Sequence, residues 1–464
     1  MVLTGPEAAT ARAASAEAFT ALCGWAASAA ATPLPAAVRR RAALVLIDDL
    51  GAAVAACNEP EIAAARALEL RAARGAEATI LAPGAARIDR IGASLANGMA
   101  ATWAELDEGF RLAPCHAGAY IWPALVAEAE ATDATTGAVL HALAVAYDIT
   151  ARLARAFPFA AMTVHPHAAF ATVGAAAGVA LLRRCDAARL QAAIAGAASM
   201  AFAGPYGHAL DGALIRNGWT AAGAFIGFRA VDWALAGIGG IASSPFDVFV
   251  TSFGTASHPE ELTRGLGAEW ALADGYHKVF ACCQYAHSML EASLALHRRL
   301  GPGAGARVAA IEVETHPRGM TLTATEPPTV LSAKFSMPHA AAAVARRGSG
   351  GQDAFAKDTL ADPAIAGLRR AVKLIPLATV EPWPNDRAAR VTWILDDGSR
   401  HTAACRNARG GADQPFDEAT LAAKLAGNTA PVFPAMAGVL TALLAPDTDE
   451  TLWRDVIAAA TGVI

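Results

Sequence analysis

Apolar residues recur at three- and four-residue spacing over most of the first 273 positions. Segments such as "AAVRRRAALVLIDDLGAAVAA" (36–56) and "TTGAVLHALAVAYDITARLARAF" (135–157) carry the period of helices with a buried face. From about Pro35 to about Ala273 the pattern predicts helix almost throughout. Alanine and glycine fill the places between larger apolar residues, so helix backbones can approach closely and little apolar stripe is left exposed. After about residue 300 the texture changes. "RVAAIEVET" (307–315) alternates like a strand behind the loop "GPGAGA", and "RVTWILDDGSRHTAA" (390–404) is a hairpin pattern around Asp397–Gly398. "QPFDEATLAAKLAG" (414–427) returns to an amphipathic helix with acids in its first turn. The expected fold is mainly α. It has a helical domain over 1–273, a smaller α+β lid domain over 274–409, and a helical segment over 410–464 that rejoins the first domain.

A chain of 464 residues is longer than one core usually fills, which agrees with two domains. Only 17% of residues are charged and 55% are hydrophobic, with few aromatics; this excludes a disordered chain. A net charge of -5 spread along the chain gives no reason to expect nucleic acid as partner. The positive mean hydropathy invites a membrane reading, but alanine carries it and charged residues cut every long apolar run. "MVLTGPEAATARAASAEAF" places acids early and lacks a basic region before an apolar core, so no secretory signal is expected. Seven cysteines without CxxC or HExxH spacing predict reduced thiols in a cytoplasmic protein and no metal site.

Three stretches carry candidate chemistry. In "ELDEGFRLAPCH" (105–116), a helix from about Arg90 to Glu108 is expected to stop at Gly109. Glu105 and Glu108 would then share a face with Asp107 beside them, in a last turn where anions are disfavoured. At least one carboxyl should hold its proton tightly. The bland alternative is a solvated acidic helix end; Arg111 and His116, close behind, argue for a site. In "MTVHPHAAF" (162–170), Pro166 suits the first helical position and puts His165 at the N-cap, where a neutral imidazole can act as base or merely cap. In "HKVFACCQYAHSML" (277–290), Lys278 precedes a loop, and Cys283 and His287 stand four apart on the helix expected to follow. That arrangement suits an anion, or else a solvated lysine and a capping histidine. His141 and Trp233 read as packed core residues, and no P-loop or G-x-S-x-G elbow is present.

An ordered set of short motifs runs through nearly the whole chain. They are "DDLGAAVAA" (48–56), "ANGMAATWAELDEG" (96–109), "CHAGAYIWPALVAEAE" (115–130), "AYDITARL" (146–153), "HPHAAFATVGAAA" (165–177), "NGWTAAG" (217–223), "KVFACCQYAH" (278–287) and "AKFSMP" (333–338). Together they resemble the MmgE/PrpD family, which includes 2-methylcitrate dehydratase, cis-aconitate decarboxylase and iminodisuccinate epimerase. The resemblance implies a helical domain with an α+β lid, a homodimer, and catalysis without metal or cofactor. It maps the family's acidic pair and first histidine onto Asp107, Glu108 and His116, with Glu105 as an upstream acid. The histidine before proline maps onto His165 and the lysine near the lid onto Lys278. Departures are Ala117–Gly118 in place of Pro-Ser, Ala213 and Arg216 in place of Lys-x-x-His before Gly-Trp, and His339 in place of an aromatic.

The reaction implied is removal of a proton next to a carboxylate, whose enolate-like charge needs cations and donors nearby. Lys278, Arg216 and Arg111 are expected to hold carboxylates, with Cys283 and His287 beside them. His165 is expected to be the base, and Asp107 or Glu108, keeping its proton, to orient His116 or protonate a leaving hydroxyl. The expected activity is that of a cofactor-independent hydro-lyase dehydrating a small hydroxylated di- or tricarboxylate. An epimerase or isomerase, a decarboxylase, and an inactive carboxylate-binding paralogue are the alternatives.

Overall fold

Every residue from Pro166 to Leu181 is buried, in a helix that has no polar face. Helices of the first half of the chain pack around it. The computed structural model describes residues 5–301 and 303–463. It begins with α1 (Gly5–Ala29), α2 (Ala36–Ala56) and α3 (Pro60–Ala72), then a ribbon of β1 (Ala78–Thr79) and β2 (Arg87–Ile88). Next come α4 (Arg90–Ala101), β3 (Gly109–Phe110), α5 (Ala117–Ala131), α6 (Thr136–Ala156), the central α7 (Pro166–Leu182) and α8 (Ala187–Ser199). The short α9 (Gly207–Asp211) precedes α10 (Ile215–Leu235), and two turns, α11 (Ser244–Phe246) and α12 (Glu260–Thr263), lead to β4 (Gly275–Tyr276).

Helix α7 packs on α5, α6, α8 and α10, and α10 packs in turn on α4. The spacing is set by small residues. An added Cβ at Gly223 would lie 2.5 Å from Ala171 Cβ, and one at Gly178 would lie 2.8 Å from Ile121 Cγ2. These helices sit closer than larger side chains permit, as the alanine and glycine content predicts.

The second half holds α13 (His287–Leu300), β5 (Val308–Thr315), α14 (Val330–Lys334), α15 (Met337–Arg347), α16 (Lys357–Ala361), α17 (Pro363–Arg370) and β6 (Val372–Pro376). The hairpin β7 (Ala389–Leu395) and β8 (Arg400–Cys405) turns at Gly398 (φ +79°), and α18 (Glu418–Thr429) starts on the cap of Asp417. The sheet order is β6-β5-β7-β8, with β5 parallel to β6 and antiparallel to β7. Helix α13 covers β7 and β8, while α18 lies against α2. With 59% of the chain helical and the four-stranded sheet confined to 308–405, the fold is mainly α with a smaller α+β part. No helix among the described residues is long and apolar enough to cross a membrane.

Several expectations fail. Helix α4 ends at Ala101 rather than Glu108, and Gly109 is a strand residue, not a helix stop. A Cβ at Gly109 would lie 2.4 Å from Tyr276 Oη, so glycine is required by the β3–β4 ribbon. His141 is half-buried at the surface of α6, with Nε2 3.0 Å from the Thr32 carbonyl, and Trp233 is 43% exposed. Neither belongs to the core. The parallel strand β6 and the N-terminal helix α1 were not evident in the sequence pattern, since α1 buries only a narrow row around Phe19, Leu22, Cys23 and Ala26.

Substitution at the α7–α10 contact tests this packing. A Cβ at Gly227 would meet Ala175 Cβ at 2.4 Å and the Ala175 carbonyl carbon at 2.8 Å. Gly227→Ala should lose about 1–3 kcal/mol in urea unfolding with m unchanged. Gly367→Ala, with nothing within 4 Å of its Cβ, should be neutral or gain up to about 1 kcal/mol.

Candidate active site

Residues 102–108 leave the helical path because cations from distant parts of the chain hold their carbonyls. Arg216 Nη1 donates to the Thr102 carbonyl (3.1 Å), Lys334 Nζ to Trp103 (2.7 Å) and Lys424 Nζ to Leu106 (2.7 Å). The loop is buried, and Glu105 sits at φ +55°, a left-handed conformation that non-glycine residues adopt at a cost. Arg216 compensates, with Nη2 2.6 Å from Glu105 Oε1.

This path sends the acids in different directions. Asp107 Oδ2 lies 2.7 Å from His116 Nδ1, and Asp107 Oδ1 lies 3.5 Å from Lys278 Nζ. Glu108 points away, accepting from the Gly118 N–H (2.8 Å) with Tyr147 Oη 3.0 Å from its other oxygen. Glu105 and Glu108 therefore do not share a face. The β3–β4 ribbon joins this loop to Tyr276 and Lys278, and Lys278 Nζ also approaches Glu105 Oε2 at 3.6 Å.

A cleft of about 510 Å³ opens here. Glu105, His116, His165, Arg216, Lys278 and Cys283 all line it. A larger groove of about 810 Å³ between α2 and α18 is mostly aliphatic, and its Asp48 and Lys424 neutralise each other at 2.6 Å. The reactive groups are in the smaller cleft. Arg111 and His287 do not reach it. Arg111 pairs with Asp386 at 2.5 Å, and His287 opens α13, bonded to the Cys282 carbonyl (3.2 Å) and packed edge-on against Phe280. Cys283 precedes a 3-10 turn instead of sharing the helix of His287, and burial pushes its thiol up to about 11, so it is no thiolate nucleophile. His339 is buried elsewhere, against Arg369 and Phe355.

Hydrogen bonds fix the tautomer of His116. His116 Nδ1 faces two acceptors, Asp107 Oδ2 and the Glu108 carbonyl (2.8 Å), with the N–H aimed at the carbonyl and the carboxylate flanking it. Nδ1 therefore carries the proton. Nε2 is left as a lone pair with no protein partner among the described residues. His165 does cap α7, its Nδ1 accepting from the His167 N–H (3.1 Å), while Arg216 Nε comes within 3.3 Å of Nε2. A ring carrying one proton cannot accept at both nitrogens. The two N–H donors between them leave the ring no free lone pair toward the cleft. Burial, with Arg216 adding to it, holds this imidazole well below its usual range. Asp48–His277 resembles Asp107–His116, but Arg41 Nη1 covers His277 Nε2 at 2.6 Å.

Charge separates the acids further. Burial alone would raise Asp107, yet Lys278, His116 and Arg216 hold it below the usual carboxylate range. The acid that keeps its proton is Glu108, lifted by burial to about 7. Asp49 is raised well above its usual range by burial and by Glu108 and Asp107; its Oδ1 accepts from the Glu108 N–H (2.9 Å). The Ala117–Gly118 departure fits this buried pair, since a Cβ at Gly118 would lie 2.4 Å from Asp49 Oδ2 and 2.9 Å from Glu108 Oε1. Sequence reasoning missed Asp49, His167, Tyr206, Tyr276, Gln284, Tyr285 and Arg387. Asp49 and His167 stand in the doublets "DD" and "HPH", a signal that could have been read. Arg387 gave none.

The pair makes stability depend on pH. Folding raises Glu108 from 4.5 to about 7, so the native state binds more protons than the unfolded state within that window. Stability should be fullest below the lower value and fall by a few kcal/mol as pH rises through the upper one. Glu108→Gln should flatten this slope in urea unfolding measured between about pH 5 and pH 8. An unchanged slope would assign the titration to another group.

Among curated proteins, none matches the chain. Residues 20–256 match the MmgE/PrpD N-terminal domain and residues 280–441 the MmgE/PrpD C-terminal domain. Spanning most of its length with both halves in order, the chain belongs to the MmgE/PrpD family, which is generally enzymatic and dehydratase-like in its chemistry.

Proposed function

We propose that the protein is a hydro-lyase that removes a proton next to a carboxylate and dehydrates a small hydroxylated di- or tricarboxylate. The observation that carries this reading is His116: Nδ1–H engaged by two acceptors, Nε2 free in a cleft beside Lys278 and Arg216. An imidazole oriented in this way accepts a proton at Nε2, and the flanking Asp107 carboxylate stabilises the imidazolium that forms. This moves the base from His165 to His116.

Lys278 stands 3.5 and 3.6 Å from two carboxylates, at the outer limit of a hydrogen bond, so its N–H groups can turn to a substrate carboxylate. Asp107 and Glu105 outweigh burial and keep it charged. Removal of the C–H proton by His116 leaves charge on the adjacent carboxylate, which Lys278 and Arg216 meet with fixed positive charge. His165, with donors at both ring nitrogens, stays neutral beside that charge. As the C–O bond breaks and the C=C bond forms, the proton held on His116 Nε2 passes to the departing hydroxyl and water leaves. An epimerase would need a second base on the opposite face; the two donors around the His165 ring weigh against it there.

Incubation in D2O with a panel of citrate-like and succinate-like hydroxy acids tests the reading through alkene absorbance, deuterium uptake and CO2. Dehydration predicts alkene formation, exchange alone favours epimerisation, and CO2 favours decarboxylation. His116→Gln should lower kcat by about 10²–10⁴-fold. Full turnover by that variant would remove His116 as base, and silence of the wild type across the panel would sink the enzymatic reading.

A further inference from the structure

The cleft cations are not equally occupied. All three guanidinium nitrogens of Arg216 are engaged, by Glu105, the Thr102 carbonyl, Asn217 Oδ1 and the His165 ring. Lys278 is shared between Asp107 and Glu105. Arg387 differs. It is 5% exposed, lines the cleft from the loop before β7, and its Nη1 donates to Gln284 Oε1. Its Nε has no hydrogen-bond partner among the described residues, and the carboxylate beside it, Asp386 Oδ2 at 3.7 Å, is engaged by Arg111. The guanidinium carbon lies 5.0 Å from the centre of the Tyr285 ring, which fixes its plane.

A buried guanidinium with unfilled donors is costly until an anion completes it. The loop that carries it is held in place, because Arg111 bonds Asp386 and reaches the Pro384 carbonyl at 3.5 Å. The preformed fork matches the two oxygens of a carboxylate, which a lysine at this place would meet only as a point charge.

We propose that Arg387 is the seat of a second substrate carboxylate, remote from the carbon that loses its proton. This rests on the carboxylate-lyase reading above. Arg111 then acts as a positioning residue, holding the Arg387 loop without touching the substrate.

Calorimetric titration with citrate and with succinate separates the two claims. The wild type should bind at least one of them, and Arg387→Gln should weaken that binding at least tenfold, with Arg387→Lys in between. Gln284→Glu sets a carboxylate against the guanidinium, so it should cause the same loss while adding an ion pair to the fold; it decides the matter if Arg387→Gln does not fold. Should the wild type bind neither acid, the carboxylate reading of the cleft falls and this proposal with it. If the wild type binds and both variants bind equally well, Arg387 is not the seat, while the lyase reading stands.

Discussion

Buried cations holding the backbone carbonyls of residues 102–106 are the constraint on which the site depends. Left alone, these residues would extend α4, whose cap at Asp89 starts a regular helix and which meets no glycine or proline from Met99 to Glu108. Arg216, Lys334 and Lys424 offer the carbonyls stronger, charge-assisted partners than helical N–H groups, and the chain turns out of the helix to reach them. The lysines also satisfy groups that would be expensive to bury unpaired. Burial pushes the Lys334 ammonium down to about 8, a cost borne by the fold to keep the loop in place.

Once the loop is turned, neighbouring acids become unlike. Asp107 meets His116 and Lys278 and stays ionised; Glu108, one residue on, turns toward Tyr147 and Asp49 and holds its proton. Carboxyls adjacent in sequence thus acquire opposite protonation from opposite surroundings, without a metal-ligating cluster among the described residues. The carbonyl and carboxylate that clamp His116 then set which of its ring nitrogens carries the proton.

What the sequence revealed was local. Alanine and glycine spacing foretold the close helices, Pro166 foretold the cap at His165, and Asp397–Gly398 foretold the hairpin. The end of α4 was illegible because the residues that end it lie at 216, 334 and 424. Arg111 looked like a ligand because it follows the acids; only the fold shows Asp386 occupying it and Arg387, the next residue, facing the cleft. The surroundings of His165 were legible only in part. A helix cap is visible in sequence, but the approach of Arg216 to the far side of the ring is not.

The positions of the three anchors have a bearing on biosynthesis. A chain emerging from the ribosome completes α4 and the acidic loop long before Lys424 is made, and domains generally fold as units in the order of synthesis. Until α18 reaches α2, the Leu106 carbonyl lacks its lysine and Asp48 has only His277 as partner. The loop thus takes its final shape last. A product that stops before Lys424 therefore lacks one of the three cations that hold the acidic loop.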